Sequence, residues 1–86
     1  MQPVNRVRLE SLFGRSVDLV TDDGSRLVVT LGIVTTMDGE DEVAVEVLAV
    51  ERQGEGRHWS EGDSGRIPVR QVQSVRPVVF LGESGM

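Results

Sequence analysis

Residues 9–31 read LESLFGRSVDLVTDDGSRLVVTL, and their spacing restricts the fold more than any other part of the chain. From Ser16 onward, Val17, Leu19 and Thr21 fall on one face and Asp18, Val20 and Asp22 on the other, the two-residue period of a half-buried strand. Asp23-Gly24 follows, the pair favoured where both positions of a two-residue turn need positive φ. Beyond it Leu27, Val29, Leu31 and Ile33 alternate with Val28, Thr30, Gly32 and Val34, so the second strand is apolar on nearly both faces. Such a strand is expected to be central, long and bent. Gly32 is its expected bend point, because a missing side chain lets a sheet curl without a clash.

The remaining sequence continues in the same manner. MDGEDE reads as a second turn, and residues 42–52 as a third strand with Val43, Val45, Val47 and Ala49 facing one way and Ala44, Glu46, Leu48 and Val50 the other. Residues 53–65 (QGEGRHWSEGDSG) form a glycine-rich loop. Residues 66–70 (RIPVR) read as a short fourth strand, with Pro68 confining it to an edge or to a position that needs no amide. VQSVRPVVFL supplies the last strand or strands, and residues 78–86 close the chain as a strand or tail. At the other end, residues 1–14 form a helix or arm. Pro3 suits a first helical turn, and Val4, Val7, Leu12 and Phe13 make an imperfect apolar stripe. A strand using Val7 and Leu9 as alternate residues is the competing reading.

Eighty-six residues suffice for one small domain, here residues 1–86, with a compact core. Sixteen residues are valine, whose stiff branched side chain suits a pleated surface better than a helix. With no cysteine the chain has neither a disulfide framework nor a thiolate site. No apolar run reaches signal-peptide length or the roughly 20 residues of a membrane span, so a cytoplasmic protein without membrane contact is expected. All nine cations are arginine and there is no tyrosine, a usage that fits a GC-rich bacterial or phage genome.

The net charge of −5 argues against a generic polyanion binder, because non-specific nucleic-acid affinity comes mainly from cations meeting phosphates. The charge is nonetheless unevenly distributed. Arg6, Arg8 and Arg15 near the start and Arg66, Arg70 and Arg76 near the end flank a middle in which nine acids face Arg26 alone. If the first and last strands pair, these arginines can gather on one side and the acids on the other. The alternative is a set of separately solvated charges.

Three segments carry candidate chemistry. The acidic turn Asp38-Gly39-Glu40-Asp41-Glu42 lacks a calcium-loop arrangement, since Val43 stands where that motif wants glycine, and it reads as a solvated hairpin tip. His58, Trp59 and Ser60 lack the third group that would orient a base, so no catalytic residue, metal or cofactor is assigned and no small-molecule substrate is indicated. Trp59 either presents a contact anchor to a partner or folds back as a lid over an open barrel end. Val78, Val79, Phe80 and Leu81 either complete the barrel core or, left as an edge, recruit another chain.

Residues 9–31 resemble the first motif of Sm-like proteins, the group that includes the bacterial Hfq type. Leu9, Leu12, Gly14, Val17, Leu19, Asp23, Gly24, Leu27 and Leu31 fall at matching intervals over about a quarter of the chain. Three departures bear on activity. Val29 stands where Sm-like strands usually carry glycine, MDGEDEV lacks the asparagine of their RNA-contacting loop, and GRIPVRQVQSV carries no recognisable second motif. RIPVRQVQSVRPV resembles instead the ending of Src-homology-3-type barrels, a short strand and a tight helical turn leading into a closing strand. The resemblance implies an all-β, strongly bent, five-stranded antiparallel barrel with a short N-terminal helix or arm.

The expected function is that of a non-enzymatic interaction module, with no cofactor and no small-molecule substrate, that forms a homo-oligomer or binds a protein through Trp59, Val78, Val79, Phe80 and Leu81. The alternative is an Sm-like RNA-binding ring using Arg6, Arg8, Arg15, Arg70 and Arg76.

Overall fold

The computed structural model describes residues 4–78. Helix α1 (Arg6–Ser11) starts where Asn5 caps it, the Asn5 Oδ1 accepting the Arg8 N–H at 3.0 Å. The helix is turned differently from the expected stripe. Leu9 and Leu12, three residues apart, enter the core, Val4 packs against its margin, and Val7 and Phe13 are 73% and 60% exposed. The strand alternative for this segment does not occur.

Five strands follow: β1 (Ser16–Thr21), β2 (Arg26–Met37), β3 (Glu40–Arg52), β4 (Ser64–Pro68) and β5 (Val72–Pro77), with a three-residue 3-10 turn (Val69–Gln71) between the last two. They form one antiparallel sheet in the order β4-β3-β2-β1-β5. The first and last strands therefore pair, and β2 is central as its two apolar faces require. Pro68 ends β4 on a sheet edge, where its missing N–H costs no ladder bond. The fourth strand lies at 64–68 rather than 66–70, because Val69 and Arg70 turn into the 3-10 segment.

The barrel is open. Neither β4 nor β5 pairs with the other, since the two are short, are joined by a 3-10 turn instead of a hairpin, and each end in a proline that cannot donate to a ladder. Curvature comes from irregular register between the two longest strands. Opposite Leu31↔Val45 and Val34↔Val43, β2 carries one extra residue at Gly32-Ile33, so the face presented to the core passes from Leu31 to Val34 and Ile33 turns outward, 60% exposed. Gly32 is thus part of the bend, and the bulge takes Ile33 off the face that its alternation with Leu27, Val29 and Leu31 indicates. Two further shifts, around Leu48 and Glu51, place the extra residue on β3 and bring Val50 to the core margin, leaving Ala49 half-buried.

The two Asp-Gly pairs make different turns. At Asp38-Gly39 both residues have positive φ (54° and 78°) and Met37 faces Glu40, the two-residue hairpin that the pair favours. At Asp23-Gly24 only the glycine has positive φ (94°). There the Gly24 N–H donates to the Thr21 carbonyl at 3.1 Å and the Thr21 N–H to the Ser25 carbonyl at 3.0 Å, a three-residue loop in place of the expected two-residue one. The Asp23 side chain explains the difference, as its contacts below demand.

One cluster of buried side chains fills the curl of the sheet. It draws Leu9 and Leu12 from the helix, Val17 and Leu19 from β1, Leu27, Val29, Leu31 and Val34 from β2, Val43, Val45 and Val47 from β3, Ile67 from β4, and Val72 and Val75 from β5. Trp59 from the long loop joins them. No helix among the described residues is long and apolar enough to cross a membrane.

Candidate interaction surfaces

The loop after β3 is tied to the tip of the β1–β2 hairpin. Asp23 Oδ1 accepts the Thr21 hydroxyl and the Ser25 N–H (3.0 Å), and its Oδ2 accepts the Gly56 N–H (3.0 Å). The Asp23 carbonyl takes the Glu55 N–H at 3.1 Å, and the buried Ser25 Oγ takes the Gly54 N–H at 3.1 Å. These bonds stabilise the carboxylate and hold its pKa below the ordinary value of 3.8, the Thr21 hydroxyl contributing most. The glycines of the loop answer to this close approach. A Cβ on Gly54 would stand 2.6 Å from the Asp23 carbonyl oxygen and the Ser25 nitrogen, and one on Gly56 would stand 2.6 Å from Asp23 Oδ2.

So anchored, the loop turns Trp59 inward. The ring is 3% exposed and belongs to the core cluster, its backbone N–H donates to Gln53 Oε1 at 3.1 Å, and its carbonyl accepts the Gln53 amide. Arg57 closes over it, guanidinium 3.8 Å from the ring centroid, and its Nη1 donates to the Arg66 carbonyl of β4 at 3.3 Å. Of the two roles open to Trp59, this placement is the lid. A ring so enclosed does not serve as an exposed anchor in this conformation. His58, next to it, is exposed.

The uneven charge is resolved by pairing across the fold. Arg6 binds Glu10 at 3.0 Å, one helical turn on, and reaches Asp41 (3.3 Å) and the Thr36 hydroxyl (2.8 Å) at the β2–β3 hairpin. Arg70 in the 3-10 turn binds Glu40 of the same hairpin, and Arg26 binds Asp18 (3.0 Å) and Glu51 (3.1 Å). Arg6, Arg70, Glu40 and Asp41 thereby share one cleft of about 400 Å³. The basic ends of the chain meet its acidic middle there, so Arg6 and Arg70 neither form a basic side apart from the acids nor stand separately solvated. Arg8, Arg15 and Arg76 are exposed and make no ion pair among the described residues. They sit on α1, on the turn before β1 and on β5, where Arg76 lies opposite Asp18.

The sheet's two outer strands complete the picture. Val78 prolongs the β1–β5 ladder by one bond, its N–H donating to the Ser16 carbonyl at 3.0 Å, and is half-buried. Val79, Phe80 and Leu81 lie outside the described residues. On the opposite edge, β4 pairs only with β3 among the described residues.

Asp23 and Arg57 escaped the reading of the sequence, as did the outward turn of Phe13 and Ile33. The aspartate's role has a local signal, an Asp flanked by Thr21 and Ser25, both able to share hydrogen bonds with it. Its partner segment, 54–56, is far away in sequence, and nothing in a glycine-rich loop announces what it packs against. No protein-family model matches the chain, and no similar curated protein or solved structure is found.

Proposed function

We propose that the chain is a non-enzymatic interaction module that self-associates edge to edge, β4 of one copy pairing with β5 of the next. One observation carries this reading. Among the described residues the sheet ends in two strands that each bond on one side only, and a three-residue turn separates them, so a single chain offers both halves of a head-to-tail β junction. A contact between unlike edges closes into a ring when its rotation permits. The pairing available is short, since Pro68 and Pro77 interrupt the edges and Arg57 occupies the Arg66 carbonyl, which favours one register. This proposal carries the resemblance to Sm-like barrels with it, as a likeness of architecture, along with a place in a bacterial or phage cytoplasm. Placing lysines at exposed β5 positions, Gln73→Lys with Ser74→Lys, is expected to return an oligomer to monomer in light scattering. An assembly unaffected by this pair of substitutions assigns the contact elsewhere and overturns the edge reading.

The second reading is a nucleic-acid-binding ring, favoured by the exposed Arg8, Arg15 and Arg76, which make no ion pair among the described residues. The ion pairs of Arg6 and Arg70 count against it, because those side chains must leave a carboxylate to reach a phosphate. Fluorescence anisotropy with short single-stranded RNAs decides the point. Binding that weakens steeply with salt supports it, and no binding at low ionic strength removes it.

A further inference from the structure

Arg57 does more than cover Trp59, because its guanidinium also lies against β4. Nη1 donates to the Arg66 carbonyl at 3.3 Å, and a Cβ on Gly65 would stand 2.5 Å from Nη2. The absence of a side chain at Gly65 is what makes room for the arginine on this strand. The base from which Arg57 reaches β4 is fixed on both sides. Before it, the Glu55 and Gly56 N–H groups are held by Asp23, and after it the Trp59 N–H is held by Gln53. The guanidinium, 3.8 Å from the Trp59 ring centroid, sits in a cleft of about 350 Å³ between β4 and the end of β1.

The strand it touches is the one that pairs only with β3 among the described residues. A strand joining β4 would draw on its backbone carbonyls, and charged side chains are one means by which sheets keep an edge from recruiting another chain. The edge is short, five residues ending in Pro68, which brings no N–H, so one carbonyl is a large share of what it can offer. The cover is also removable. Arg57 is exposed, and water can replace its bond to the Arg66 carbonyl. We propose that Arg57 is a releasable cap on the β4 edge, restraining its pairing with β5 of a second copy until the guanidinium swings off the Arg66 carbonyl. With the cap seated β4 offers a shortened edge, and with it withdrawn the ladder takes in Arg66. This deepens the edge-to-edge reading and rests on it.

Two substitutions in the full chain release the cap by different routes. Arg57→Met keeps an apolar cover on Trp59 and removes the donor. Gly65→Ala keeps the arginine and pushes it aside, since the new Cβ meets only the guanidinium end of the side chain and Gly65 lies outside the left-handed region. In light scattering across a concentration series, each is expected to lower the concentration at half-association about five-fold, roughly the worth of one hydrogen bond. Trp59 emission held at its buried wavelength shows that the fold is kept. Adding Gln73→Lys with Ser74→Lys to either variant is expected to cancel the gain. Unchanged or weaker association in both variants, in a chain whose wild type dissociates with the two lysines, overturns the cap and leaves the edge reading standing. A gain that survives the lysines assigns the tightening to another surface and overturns the cap as well. A wild-type assembly indifferent to the lysines, or a chain monomeric in every form, overturns the edge reading and the cap with it.

Discussion

Asp23 is the residue on which the loop end of the molecule turns. Its carboxylate accepts three hydrogen bonds from two segments more than 30 positions apart, so replacing it with alanine leaves the Ser25 and Gly56 amides without their acceptor. A loss of about 2–3 kcal/mol in urea unfolding at neutral pH is expected, from the usual worth of hydrogen bonds to a charged group. The pH dependence follows from the direction of its pKa. The folded value lies below the unfolded one, so the stabilisation is fully present above about pH 4 and is lost as pH falls through the folded value. Between about pH 5 and pH 3 the urea midpoint of the wild type should therefore fall further than that of Asp23→Asn. Trp59 makes the second prediction at this scale. Removing its buried ring by Trp59→Ala should cost about 3–5 kcal/mol, and its emission, as that of the only tryptophan, should move to longer wavelength on unfolding. Gly54→Ala should cost about 1–3 kcal/mol, because its Cβ meets backbone that cannot swing aside.

At the scale of elements, the two hairpins show how the same dipeptide yields different turns when a side chain finds partners. Asp38 has a left-handed backbone, while Asp23 stays out of that region with its carboxylate accepting from three donors. Gly39→Ala should consequently destabilise by about 1–2 kcal/mol through left-handed strain alone, as read from thermal unfolding. The strands themselves were legible in the residues, because burying one side of a pleated ribbon imposes alternation. Val17, Leu19 and Thr21 on β1 and Val43, Val45 and Val47 on β3 lie on the buried faces that their spacing indicates. Alternation fails where an extra residue enters one strand. A bulge changes no residue type, so the reversal between Leu31 and Val34 and the shift after Val47 could not be seen beforehand. The fate of Trp59 was hidden for another reason. Loop residues carry no period, and the bonds that direct the ring run to Asp23, Ser25 and Gln53.

For the molecule as a whole, the net charge of −5 conceals a folding complementarity, in which Arg6 and Arg70 from opposite ends of the chain meet Asp41 and Glu40 at one hairpin. Charge that reads as a divided surface in sequence is partly spent internally. What stays unsatisfied among the described residues is the pair of sheet edges, and an unpaired strand is a template for another. Edge-to-edge association of copies of the chain is the proposal on which its function rests. Size-exclusion chromatography with multi-angle light scattering across a concentration series tests this most directly. Edge pairing requires a mass at a whole-number multiple of 9.4 kDa, greater than one, that drops in the Gln73→Lys, Ser74→Lys variant. A constant 9.4 kDa at the highest soluble concentration would contradict it.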